Sequence, residues 1–259
     1  MISRHTVAAF IKAHRLAVIL AGVGVVVVAL IAAYILWSAS SWSQIEARSS
    51  NYRNSIKNDM SPALSLPANT AEARESKRDT LKNIADKITN DGKGVCQVHG
   101  LLQWQQGMAY AKPKLEDCER VVSRLGEFEV SLHGALEYLD REKQLSSIFA
   151  NVSKTDKFTD KDFSAQLAAW QSAELALEKI AANASFDPVK SEAVNVAKAV
   201  VASWQAVIAA NEAKDKKKYE EAVAGLVASL KGIERISALG TERFDPLVRV
   251  LEEKYKAVF

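Results

Sequence analysis

Glycine and proline are scarce in this chain, at 11 and 5 of 259 residues. Too few turn formers are present for the many tight turns of a β-sandwich or barrel, while Ala, Glu, Lys and Leu are abundant, and together these predict helices. Cysteine occurs only twice, at Cys96 and Cys118, and histidine four times. Two cysteines that far apart, with His99 and His133 the only nearby histidines, match no zinc spacing. No phosphate-binding glycine loop, Ser-His-Asp set or paired-carboxylate signature stands out. The chain therefore reads as a non-enzyme without a cofactor. Charge is missing altogether between Arg15 and Glu46.

That uncharged stretch contains LAVILAGVGVVVVALIAAYILW, Leu16 to Trp37. As a helix its 22 residues measure roughly 33 Å, enough to cross a bilayer core. Tyr34, Trp37 and Trp42 cluster where aromatic anchors sit at the headgroup level. Arg4, Lys12 and Arg15 precede the run without any acid, so the positive-inside rule places the N-terminus in the cytoplasm and the bulk of the chain outside. Ser38-Ala39-Ser40 has the form of a cleavage site. The run is longer than the ~7–15 residues of a signal-peptide core, which favours an uncleaved signal-anchor. The pairs Ala17/Ala21 and Ala29/Ala33 have small-xxx-small spacing but read as ordinary lipid-facing alanines.

The net charge of +3 belongs to the anchor. Removing Arg4, Lys12 and Arg15 from the 34 basic residues leaves 31, against 31 acidic ones. A neutral outer part gives no reason to expect nucleic-acid binding.

Residues 38–69 read as a stalk or linker. Apolar positions there are sparse (Trp42, Ile45, Tyr52, Ile56), which predicts weak packing, and Ser61-Pro62 with Pro67 is expected to break any helix. Thr70 then caps a helix to about Asn90 with Leu81, Ile84 and Ile88 inward. Val95 to Lys114 has no sustained period and predicts a loop with one short helix. From Lys114 to about Phe149, Leu115, Cys118, Val122, Leu125, Leu132, Leu136 and Leu139 make a long bundle seam. Thr159 with Asp162 resembles a capping box. The helix it starts carries Phe163, Leu167, Trp170, Leu177 and Ile180. Asp187-Pro188 caps the next, with Val194, Ala197, Val201, Trp204 and Ile208 inward. Asp215 caps another, with Tyr219, Val223, Leu226, Leu230 and Ile233 inward. Gly240 is expected to end it, and Asp245-Pro246 to start the last. The echoes Phe186-Asp187-Pro188/Phe244-Asp245-Pro246 and Trp170-Gln171/Trp204-Gln205 read as cap chemistry and core composition, not as a solenoid.

Cys96 and Cys118, an even pair in an oxidising compartment, read as a disulfide tying the loop to the long helix. The loop itself is the candidate binding site, with His99, Trp104, Met108 and Tyr110. Its aromatics either mark a contact surface or plug the bundle core. His133 between Glu129 and Glu137 has the spacing of half a metal site, but so Glu-rich a helix yields that by chance. Asp156, Asp160 and Asp162 lack the glycine and closing Glu of a calcium loop. Asn151-Val152-Ser153 and Asn183-Ala184-Ser185 have acceptor form for glycosylation. The run Lys214 to Lys218 reads as a solvated helix start.

The architecture expected is all-α: a cytoplasmic basic flank (1–15), a single transmembrane helix (16–37), a stalk (38–69) and an antiparallel extracytoplasmic helical bundle (70–259). The lipid bilayer is one partner, through Leu16 to Trp37. The leading function is a cell-envelope binding or structural module that meets another envelope protein or envelope polymer. The alternative is a small-ligand sensor or solute-binding domain with a site between bundle helices, lined by Trp170 and Trp204; an envelope hydrolase is a minor third. With about 15 residues before the span, a sensor would need a membrane partner to signal.

Overall fold

A computed structural model describes residues 4–98, 100–153, 163–181 and 183–259, with side chains from Val23 onward apart from Leu101 and Ser153. The chain is all-α, and no strand occurs among the described residues. The elements are α1 (Arg4–Ser65), α2 (Ala71–Gly92), a 3-10 helix (Gly100–Gln105), α3 (Lys112–Ser153), α4 (Phe163–Glu178), α5 (Asp187–Glu212), α6 (Lys216–Leu230) and α7 (Gly232–Val258). They form two compact units. The first comprises Met1–Tyr52 with Lys93–Val122, the second Arg53–Gly92 with Ser123–Phe259. The capping box Thr159/Asp162 and the trio Asp156, Asp160 and Asp162 lie outside the described residues.

The N-terminal apolar helix is present. Its most apolar window has mean hydropathy 2.3, long and apolar enough to cross a membrane. From Val23 to Trp37 every residue except Tyr34 is exposed. A helix that is apolar all round and left uncovered has the surface character of a membrane span. α5 also meets the length and hydropathy criteria for a span. However, Val189, Ala193, Val196, Ala197, Val200, Trp204 and Val207 are buried along it, and it packs on α4, α6 and α7. It is the core helix of the second unit.

After the apolar run α1 does not become a weakly packed stalk. Ser38, Trp42, Ile45, Ser49, Tyr52, Ile56, Met60 and Ala63 are all buried. Their three- and four-residue steps make one narrow helical seam. Two of the eight are serines, which hid the stripe. Pro62 does not break the helix either, since it stands inside α1. It removes one hydrogen bond near the C-terminus, where few remain to lose. Ser65 Oγ donates to the carbonyls of Ser61 (3.0 Å) and Pro62 (3.2 Å). The break comes at Leu66-Pro67, because a proline ring disfavours helical backbone at the residue before it.

In the second unit, Thr70 caps α2 as expected, its hydroxyl accepting from Ala73 N at 3.2 Å, and Leu81, Ile84 and Ile88 are buried. Asp215 caps α6, accepting from Lys218 N at 3.1 Å. Short connections between packed neighbours make α4, α5 and α6 run up, down and up. Three expectations are corrected. Asp187 does not cap α5; its carboxylate accepts from Asn183 N at 2.9 Å and closes the preceding turn. The buried arc of α5 is turned by about one residue, with Val194, Val201 and Ile208 only half-buried, because that helix meets three others. Gly240 does not end a helix and Asp245-Pro246 does not start one, since α7 runs through both. Fully burying Phe244 and Leu251 on either side of Pro246 contributes about 1.5–3 kcal/mol each, enough to offset the roughly 3 kcal/mol of an interior proline.

The break between α6 and α7 falls instead at Lys231, one helical residue (φ −61°, ψ −20°). Gly232 follows because α7 presses there on α5: a Cβ at this position would lie 2.6 Å from Val196 Cγ2. Ile233, expected inward, is 36% exposed in this first turn. The Phe-Asp-Pro echo gains a packing reason. Phe186 and Phe244 are both fully buried and both touch Tyr138, at ring-centroid distances of 5.4 and 5.5 Å. Such aromatic pairs contribute about 0.5–1.5 kcal/mol beyond their burial.

Candidate functional site

In the first unit, Val95, Val98, Leu102 and Ala111 are the inward residues of the irregular stretch. Its 3-10 helix begins at Gly100, whose φ of +64° is a backbone conformation glycine adopts without strain. The Sγ atoms of Cys96 and Cys118 stand at bonding distance, 2.04 Å, with Cα atoms 5.7 Å apart. The bridge fastens the loop to the first turns of α3. Lys114 Nζ and Glu46 Oε2, 2.9 Å apart, join that end to α1.

The residue that plugs this unit is an amide, Gln105, only 1% exposed. Its Oε1 accepts from Trp42 Nε1 at 2.9 Å, and its Nε2 donates to Tyr34 OH at 2.6 Å. A buried amide costs little once both ends are bonded. The loop's sequence draws attention to its aromatics and not to Gln105, because no local pattern marks an amide whose partners lie more than 60 residues away.

With Gln105 inward, the adjacent Trp104 points outward and is 60% exposed. Its ring stacks on Tyr34, centroids 6.2 Å apart and planes within 9°, and Tyr34 in turn meets Trp37 at 5.9 Å. Tyr110 is 47% exposed and Met108 half-buried. Of the two readings of these aromatics, the geometry gives a surface for Trp104 and Tyr110. His99 lies outside the described residues.

The second unit contains a buried polar centre that the sequence did not disclose. Arg74 and Glu142 have side chains 1% and 9% exposed. Arg74 Nε donates to both carboxylate oxygens (2.9 and 2.8 Å) and Nη2 to Oε1 (2.6 Å). Nη1 reaches Ala68 O (2.7 Å) and Thr241 Oγ1 (2.9 Å). Gly240 sits against the pair, where a Cβ would stand 3.0 Å from Glu142 Oε1. Its carbonyl accepts from Tyr138 OH at 2.8 Å, and burial raises the Tyr138 pKa well above its ordinary value. Lys77 Nζ donates to the carbonyls of Leu64 and Leu66, 3.1 Å each, and burial lowers its pKa. It thereby supplies donors to carbonyls at the C-terminal end of α1 that have no helical partner. Each of these groups is engaged by another part of the fold, which is the chemistry of a structural centre.

A cavity of about 230 Å³ opens beside this centre, lined by Arg74, Glu142, Leu145, Phe149 and Ile236 among others. A shallower groove of about 390 Å³ lies along α5, α6 and α7 and is flanked by the Arg235–Glu192 ion pair. Trp170 and Trp204 line neither. They are buried against Phe149 (6.0 Å) and Phe163 (5.7 Å). His133 is exposed beside Glu129 at 3.5 Å, while Glu137 is taken up by Arg141 and Asn183. Among the described residues no group of three His, Cys, Asp or Glu could hold a metal ion. In the Lys214–Lys218 run, Lys216, Lys217 and Lys218 pair loosely with Glu220, Glu221 and Asp215 in the open.

The chain matches no protein-family model, and no curated protein and no solved structure shows significant similarity to it.

Proposed function

We propose that this protein is a single-pass, membrane-anchored helical module of the cell envelope, with its N-terminus in the cytoplasm and both folded units outside. It acts by binding or by scaffolding. The observation that carries this reading is the build of the first unit. A disulfide-distance cysteine pair, a buried Gln105 and an ion pair fasten an aromatic-bearing loop to α1 at the end of its apolar run and just beyond it. A disulfide belongs to an oxidising compartment, in agreement with the basic residues that precede the span. The second unit, with a filled aromatic core and paired buried charges, is suited to being held and presented. Its partner is another envelope protein or envelope polymer.

The small-ligand alternative has less support. The two tryptophans proposed to line such a site pack against aromatic neighbours. The 230 Å³ cavity is below the ~300 Å³ where ligand pockets begin, and the 390 Å³ groove is open and lined by Glu192, Asn195, Lys231 and Arg235 rather than by the mostly apolar walls of a ligand pocket. The test is a photo-crosslinking amino acid at exposed Tyr110, Leu175 or Val227 of the full chain in intact cells. A discrete adduct to one envelope protein or to polymer, lost when the outer face is protease-treated, is the expected result. Adducts only to cytoplasmic proteins, or none at any position, would refute the module reading.

A further inference from the structure

The loop's exposed tryptophan stands beside the part of α1 that must leave the bilayer. Gln105 bonds to both Tyr34 and Trp42, so the 3-10 helix lies alongside α1 over those residues, about 12 Å of helix at 1.5 Å per residue. Tyr34 belongs to the last turn of the apolar run, and Trp104 is stacked on it. Charge is absent on both surfaces at this level. α1 carries none between Arg15 and Glu46, and the loop has no Asp, Glu, Lys or Arg from Val95 to Ala111. The first charge on the loop's far side that bonds to α1, Lys114, meets Glu46, roughly 18 Å further along the helix from Tyr34. An exposed indole on an uncharged, amide-rich surface beside a span has the chemistry of the lipid headgroup layer, where one end of the ring is apolar and the other wet.

We infer that the Cys96–Cys118 loop is a second membrane contact: Trp104 lies in the headgroup–acyl boundary of the leaflet from which α1 emerges, and the occupant of its exposed face is phospholipid. With Tyr34 and Trp37 it forms a belt that is wider than one helix. Such a belt fixes the tilt and rotation of α1, which a lone span leaves to its neighbours. The inference rests on Leu16 to Trp37 crossing a bilayer, and the experiment separates the two claims.

The full chain is labelled with 5-fluorotryptophan and placed in nanodiscs of phosphatidylcholine and phosphatidylglycerol. Fluorine resonances of Trp37 and Trp104 are assigned by their loss in W37F and W104F. A nitroxide carried high on the lipid acyl chain, or a gadolinium chelate in the water, is then added. The expected result is that Trp37 and Trp104 both lose most of their intensity to the lipid nitroxide and little to the chelate, while buried Trp170 and Trp204 lose little to the nitroxide. If Trp37 responds to lipid and Trp104 to the chelate, the span stands and the loop contact is overturned. If neither responds to lipid, the span itself fails and the loop contact with it.

Discussion

Replacing Glu142 by Gln should destabilise the second unit severely, although the two side chains have nearly the same shape. Arg74 has a side chain 1% exposed and directs three of its five hydrogen bonds at the two oxygens of Glu142. The substitution leaves a guanidinium out of water with no countercharge, and breaking such a pair from one side costs about 3–5 kcal/mol. R74M should cost a similar amount, because it strands the carboxylate and also withdraws a donor from Ala68 O. Against a typical total of about 5–15 kcal/mol, either change removes roughly a fifth or more of the stability. The double variant R74M/E142L should behave differently. It removes both desolvated charges together and fills the space with apolar volume, so its stability should be close to wild type or about 1–4 kcal/mol higher. Urea unfolding of the full chain in nanodiscs, followed by near-UV circular dichroism, measures all four proteins. Single variants within about 1 kcal/mol of wild type, the worth of an exposed pair, would refute the burial argument. A double variant as unstable as either single would refute the claim that desolvation consumes most of the attraction.

Removing the bridge with C96S/C118S, a separation of 22 residues, should lower the stability of the first unit by about 3 kcal/mol on the chain-entropy estimate. The reduced wild type should match it in thermal unfolding. Alkaline titration should single out Tyr138. Its pKa is raised above the ordinary 10.0, so above that pH the unfolded chain gives up the proton while the folded one keeps it. Stability is therefore complete below pH 10 and falls above it, at up to about 1.4 kcal/mol per pH unit. Y138F, compared with wild type by urea unfolding on either side of pH 10, should lose this slope. It should also be about 0.5–1.5 kcal/mol weaker at neutral pH, because the hydrogen bond to the Gly240 carbonyl is lost. G232A should force a Cβ to 2.6 Å from Val196 Cγ2 and cost about 1–3 kcal/mol. V196A in the same chain should restore part of that loss, and no recovery would show that the contact is not the cause.

Features set by neighbouring residues were readable from the sequence. Thr70 and Asp215 cap the helices they precede because a cap needs only the next three amides. Long stripes such as Leu125, Leu132, Leu136 and Leu139 are buried as their spacing indicates. Features set by distant partners were not readable. Gly240 looks like a stop signal, yet it stands inside α7, where a Cβ would press on Glu142 Oε1 (3.0 Å) and Arg74 Nη2 (3.3 Å) of the buried pair. Asp187 looks like a cap but bonds backwards to Asn183 N. Arg74 and Lys77 fall on the inward face of α2, where charge would normally argue against burial. The partner of Arg74 lies 68 residues on. The seam of α1 from Ser38 to Ala63 was present in the spacing, but its serines diluted it below notice. Trp104 and Tyr110 were readable as candidates. Their exposure followed only once Gln105 was seen to take the inward place.

The central claim is that the two cysteines are bridged on the outer side of a membrane crossed by α1. The most direct test is thiol labelling of the full chain in intact cells with a membrane-impermeant maleimide, with and without prior reduction. Labelling of Cys96 and Cys118 only after reduction is the result the account predicts. Labelling only after the cells are broken open, with or without reductant, would place the cysteines inside and contradict it.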